Sequence, residues 1–107
     1  MKNNKIYLQH IKEAIETIED YLKGVDYNVF KKDKMIRDAV IRELQIIGEA
    51  ANNFDKNFIK KHPEIPYRDM IDMRNFIIHE YFGVDVKTVW DTCQIDLKEL
   101  KKILKSI

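Results

Sequence analysis

Apolar side chains recur three and four residues apart along almost the whole chain, and this repeat limits what it can fold into. Leu8, Ile11, Ile15, Ile18 and Leu22 form one stripe, with Lys12, Glu13, Glu16 and Glu19 facing away. Ile36, Val40, Leu44, Ile47, Ala51 and Phe54 form a second, and Val86, Val89, Trp90, Cys93, Leu97, Leu100 and Leu104 a third. That spacing places residues on one side of a helix, whereas a half-buried strand alternates in twos. The expected class is all-α.

Breaks in the pattern divide the chain. Gly24 is a stop, Val25 to Phe30 is expected to be a connection, and Asp33 can cap a second helix. That helix also carries Ile41, Ile46, Gly48 and Ala50, so it is apolar on more than one face and belongs among its neighbours. Gly48 costs roughly 1 kcal/mol of helix propensity relative to alanine, which a close helix crossing would offset. Asn52-Asn53 ends the helix, and a short turn from Asp55 to Lys61 is expected next. His62-Pro63-Glu64-Ile65-Pro66 is the clearest break, with Pro66 suited to start a helix from about Tyr67 to Phe82. Gly83 ends that helix and Asp85 can cap the last. Four main helices plus a short one are most economically a bundle.

The chain of 107 residues is too short for two cores, so residues 1–107 are expected to be one domain. With 45% apolar and 35% charged residues and only 3 Gly and 2 Pro, it does not read as disordered. No apolar run nears the ~18–20 residues needed to cross a bilayer. Met1-Lys2-Asn3-Asn4-Lys5 leads into a charged amphipathic stretch with no secretory pattern. The lone Cys93 can form neither an internal disulfide nor a thiolate zinc cluster. A soluble, cytoplasmic protein without a membrane partner is expected.

Residues 1–54 carry 9 basic and 9 acidic side chains, and residues 55–107 carry 10 and 9. Bulk charge would therefore not drive nucleic-acid binding; any contact with RNA needs a local site.

The third main helix supplies a candidate. With Arg74 at zero on a helical wheel, Tyr67, Met70, Ile71, Ile77, Ile78 and Tyr81 fall within about 60° of it. Arg74 thus stands in an apolar stripe, where an unpaired guanidinium is costly. Either a carboxylate or carbonyl neutralises it, or the stripe lines a cleft and Arg74 meets an anion. Asn75, His79 and Asp72 share a neighbouring face, at about 100°, 140° and 160°. Met73 and Phe76 leave further faces apolar, as a subunit interface would require. Singly, a buried arginine is commonly half of an ion pair, and a histidine near a helix C-terminus is commonly dipole-stabilised. Both, with an amide and a tyrosine, within eight residues shift the balance towards a site.

Arg74-Asn75-Phe76-Ile77-Ile78-His79-Glu80-Tyr81 resembles the R-x4-H-x-Y signature of the HepT-like ribonuclease toxins of the HEPN superfamily. Residues 38–52 resemble that family's second helix. Ile65-Pro66-Tyr67, His79-Glu80-Tyr81-Phe82-Gly83-Val84-Asp85, Val89-Trp90 and Asp96-Leu97 are similar too. Two positions depart: Tyr67 stands where the family often has Trp, and Lys98 where it often has Pro.

The resemblance implies a HEPN-like four-helix bundle with an extra short helix, forming a homodimer whose two motifs line a shared cleft. It implies a metal-independent endoribonuclease toxin without a cofactor, with tRNA a candidate substrate. It also implies a minimal nucleotidyltransferase antitoxin that neutralises the toxin, in some systems by adding AMP to the motif tyrosine, which by position is Tyr81. An assembly larger than the dimer, including the antitoxin, stays open. The residues suit this chemistry. Histidine titrates near pH 6.5, so His79 can move protons near neutrality. The Arg74 fork matches phosphate oxygens. Asn75 and Asp72 would orient His79 or the substrate.

Two rivals remain. One is a non-catalytic partner of a nucleotidyltransferase, in which Arg74 holds a nucleotide phosphate. The other is a structural dimer in which Arg74 pairs with Asp69 or Asp72 of the second chain. His10, His62 and His79 lie on separate elements, against a zinc site. Cys93 falls on an apolar face and reads as a core residue. Lys98, Lys101, Lys102 and Lys105 suit the negative end of a helix dipole. Lys56, Lys60, Lys61 and His62 are candidates to flank a cleft.

Overall fold

Five of the helices begin where a short polar side chain accepts a hydrogen bond from a backbone amide that has no partner in the first turn. The computed structural model describes residues 3–79 and 85–107. Asn3 caps α1 (Asn4–Leu22) by accepting from the amide of Ile6 at 3.3 Å. Asp26 caps α2 (Tyr27–Lys32), accepting from Val29 at 2.9 Å. Asp33 caps α3 (Lys34–Ala51) as expected, through Ile36 at 3.1 Å. Asp55 caps α4 (Lys56–Lys61), through Phe58 at 2.8 Å. Then come α5 (Tyr67–His79) and α6 (Val86–Asp91), the latter capped by Asp85 through Lys87 at 3.0 Å. A π-helical turn, Thr92–Asp96, joins α6 to α7 (Leu97–Lys105). All regular structure among the described residues is helical.

Three details differ from expectation. Residues 25–30 are not merely a connection: α2 forms there because Asp26 caps it and Phe30 anchors it, fully buried 5.2 Å from the Trp90 ring. Six residues are too few to show a periodic stripe. The segment after Asp55 is likewise a helix, so two short helices accompany the four main helical stretches. The last stretch is interrupted by the π turn. Val89, Cys93 and Leu97 stand four apart, a spacing that drifts around an ordinary α-helix. The wider turn offsets that drift, and all three are buried. The expected end of the third main helix at Phe82 and Gly83 lies outside the described residues.

The buried side chains form a single cluster drawn from every main helix. Helix α3 is central, packing on α1 and on α5, and buries Val40, Ile41, Leu44, Ile47, Gly48, Ala50 and Ala51. A reciprocal pair ties the first helix to the fourth. The Asn4 Nδ2 donates to Asp55 Oδ2 at 3.1 Å, and the Asp55 amide donates to Asn4 Oδ1 at 3.1 Å. No helix among the described residues is long and apolar enough to cross a membrane.

Candidate active site

The proline-rich break sets where α5 starts. Ile65 is buried, and the Tyr67 hydroxyl donates to the carbonyl of His62 at 3.0 Å, fastening the first turn to the loop before it. Burial, with Glu64 nearby, pushes the Tyr67 hydroxyl up to about 12, so it remains a neutral donor. From this start α5 turns Met70 and Ile77 inward, where both are buried. Arg74 lies one turn beyond Met70 and is half-buried.

Gly48 makes that position possible. A Cβ built on Gly48 would overlap the Cβ of Arg74, and would come 2.8 Å from the Met70 carbonyl oxygen and 2.9 Å from the Arg74 Cγ. The glycine's propensity cost is therefore matched by a close crossing of α3 and α5, as expected. The aliphatic stem of Arg74 lies against bare backbone, which seals its Nε from solvent with no hydrogen-bond partner. Its Nη1 donates to Asn75 Oδ1 at 2.9 Å. Among the described residues no carboxylate forms an ion pair with it. A sealed donor of this kind costs about 1–3 kcal/mol if left unmatched. The geometry is that of a permanent cation held by its stem, with Nη1 engaged by the neighbouring amide and no carboxylate ion pair among the described residues.

The other expected site residues are placed as follows. Asn75 is brought to Arg74. Asp72 is largely exposed and lies 3.9 Å from Arg68 Nη1, one turn back along α5. His79 is in the last described turn of α5. Tyr81 lies outside the described residues. His62 Nδ1 is 3.7 Å from Glu64 Oε2, and its ring packs on Phe58 at 4.7 Å. His10 is on α1, against Tyr7 at 6.3 Å. Cys93 is buried, and burial alone pushes its thiol up to about 12. Of the C-terminal lysines, Lys101 is held by Glu19 at 2.9 Å.

On its other flank α5 forms a groove of about 570 Å³ with α3, α6, the π turn and α7. Sequence reasoning identified Met73 and Phe76 as apolar on outer faces but did not find the carboxylates that share this groove. Asp69 and Asp72 are legible as neighbours on one helix. Asp96 and Glu99 join them only through the fold.

Residues 11–107 match the family described as Ribonuclease HepT-like. The chain belongs to the HepT-like ribonuclease family. Among its HepT-like relatives, "Probable ribonuclease HepT" of Thermococcus cleftensis is 47% identical over 100 residues, covering 94% of this chain and 91% of the relative. A "Putative RNase" of Caldanaerobacter subterraneus is 39% identical over 107 residues, covering 100% of this chain and 96% of the relative. A "Putative RNase" of Methanocaldococcus jannaschii is 41% identical over 98 residues, covering 92% and 90%. No solved structure matches the chain.

Proposed function

We propose that residues 1–107 form one HEPN-like domain acting as a metal-independent endoribonuclease, the toxin of a toxin–antitoxin pair in the cytoplasm. The observation that carries the reading is the Arg74 guanidinium, set against Gly48 with a sealed, unpartnered Nε and no carboxylate ion pair among the described residues. Family membership and relatives named as ribonucleases support an RNA substrate, with tRNA the candidate.

In this reading a base takes the proton of a ribose 2′-hydroxyl, whose oxygen attacks the adjacent phosphorus. The 5′-oxygen leaves with a proton from an acid. His79 supplies acid–base chemistry, and Arg74 offsets the negative charge gathering on the phosphate oxygens. Asn75 holds the Arg74 fork, and Asp72 is the second supporting residue. Residues five apart on one helix diverge by about 140°, so Arg74 and His79 of one chain do not readily grip one phosphate. A homodimer answers this by setting Arg74 of one chain near His79 of the other.

The inhibitor in this proposal is a minimal nucleotidyltransferase antitoxin that adds AMP to Tyr81. Tyr81 falls about 20° from Arg74 on the helical wheel, so the added phosphate would compete for the same cation.

The test is purified protein with tRNA in EDTA, beside Arg74→Ala and His79→Ala proteins shown by circular dichroism to be folded. Cleavage by the wild type that both substitutions abolish supports the reading. Absence of cleavage by every form favours the non-catalytic rival, in which the same fork holds a nucleotide phosphate. Tyr81→Phe should keep cleavage and escape the antitoxin. Mixed dimers of wild-type and His79→Ala chains that retain full activity per wild-type chain would contradict the shared site.

A further inference from the structure

We propose that the groove on the flank of α5 turned away from Arg74 is a docking surface for a partner protein's amphipathic helix bearing lysine or arginine beside an apolar stripe. Apart from Asp72, which the nuclease reading also uses, the proposal stands on residues outside that reading. It rests on what lines the groove and on where the groove lies.

The floor is apolar. Leu44 and Ile47 of α3, and Leu100 and Ile103 of α7, lie beneath, while Met73 and Phe76 form the α5 side. Phe76 is 38% exposed and makes no ring contact with another aromatic among the described residues. The rim is acidic: Asp69, Asp72, Asp96 and Glu99 are its ionisable residues among those described. The Arg68 contact to Asp72, at 3.9 Å between largely exposed groups, is the one ion pair any of the four makes among the described residues. Burial raises the Asp96 carboxyl above its ordinary range, and Asp69 and then Asp91 raise it further. The groove therefore brings carboxylates together over oil without supplying the cations that would balance them.

This combination selects its occupant. A polyanion is repelled by four carboxylates, so RNA is not what the groove receives. Arg74 does not line the groove, and Asp72, Phe76 and Asp69 lie about 160°, 160° and 140° from it on the wheel, with Met73 and Met70 bringing the α5 wall to about 100° and 40°. An amphipathic helix lays an apolar stripe into such a floor, and lysines or arginines flanking the stripe meet the rim. From Pro66 to Phe76 the α5 side runs about 15 Å, close to three turns of a docked helix. The π turn contributes Thr92 and Asp96 to the wall, and such turns occur often at functional positions in helices.

The probe is a fluorescein-labelled 18-residue peptide, titrated into the intact protein and followed by anisotropy. It carries leucines at i, i+3, i+4 and i+7 repeats, with lysines flanking the stripe. One control replaces every lysine with glutamate, and another scrambles the order to destroy the stripe. The lysine peptide should bind at least roughly tenfold tighter than either control. Asp69→Lys with Asp96→Lys should weaken it by a similar factor, and Phe76→Gln should weaken it independently. The milder Asp69→Asn with Asp96→Asn pair guards against loss of folding and should give a smaller loss of the same sign. Arg74→Ala should leave peptide binding unchanged, so a failed nuclease assay and a failed docking assay remain separate results. Equal binding of the lysine and glutamate peptides, or of ordered and scrambled ones, overturns the proposal. So does wild-type affinity in the groove variants or displacement of the peptide by RNA. A shift of those variants from dimer to monomer in sedimentation would make the groove a contact between two copies and would overturn it as well.

Discussion

Gly48 of α3 and Arg74 of α5 occupy one helix crossing, packed so closely that a methyl group on the glycine would run into the arginine's own Cβ. The contact does two things. It lets α5 lie against the central helix, and it places the stem of a cation on backbone, so that only the outer part of the guanidinium is left to find a partner. The motif arginine thus owes its position to a residue 26 places earlier in the chain.

Gly48→Ala tests that dependence. The added methyl must move backbone and not merely a flexible side-chain end, because the Met70 carbonyl oxygen is also within 2.8 Å. Overpacking of this kind costs about 1–3 kcal/mol, well above the roughly 1 kcal/mol that alanine gains in helix propensity. Urea denaturation should show net destabilisation. Cleavage should fall as α5 shifts, even though the substituted residue is not in the motif.

Arg74→Met separates stability from activity. Methionine keeps the unbranched stem against Gly48 and removes the sealed Nε. Stability should rise by about 1 kcal/mol, seen as roughly 5 °C in Tm, while cleavage falls by about 10²–10³-fold. A variant less stable than wild type would show that the guanidinium is satisfied within the protein.

Asp96→Asn should stabilise the protein at neutral pH. Burial and two neighbouring carboxylates raise the folded-state pKa of Asp96. A raised carboxylate favours the folded state fully below its unfolded pKa, and that contribution is lost as pH rises through the folded value. The variant's advantage should therefore be absent in acid, appear as pH rises past the ordinary carboxylate range, and then level off. Asp96 is largely exposed, so solvent screening holds the gain below about 0.5 kcal/mol. Thermal melts across pH measure it.

Cys93 should resist a disulfide reagent such as DTNB in the native protein and react on denaturation. Its buried thiol is pushed up to about 12, which leaves very little thiolate at neutral pH. The native rate should be on the order of 10³ slower than that of the unfolded chain. Fast native reaction would mean that the π turn carrying Cys93 opens.

Patterns within one helix were legible in the sequence. The stripe from Leu8 to Leu22, the capping aspartates at 33 and 85, and Arg74 among apolar neighbours all depend on residues at most a few turns apart, where helical geometry alone sets which side chains meet. Gly48 was legible as an anomaly requiring a close neighbour, but not the identity of that neighbour. One short helix beside the four main ones was legible, but residues 25–30 and 55–61 read as a connection and a turn because six residues carry too little periodicity and Asp26 and Asp55 suit turns equally well.

The order of residues alone sets the helical class, the succession of the long helices, and a motif carrying an arginine and a histidine on one of them. Tertiary packing decided that Arg74 faces Gly48, that its Nε is sealed while no carboxylate among the described residues pairs with it, and that Asp69 and Asp96 share one groove. The physical reason is range. Helical periodicity is a local property of the chain, whereas the balance of a buried charge depends on every element that approaches it, and those approaches exist only once the helices have packed.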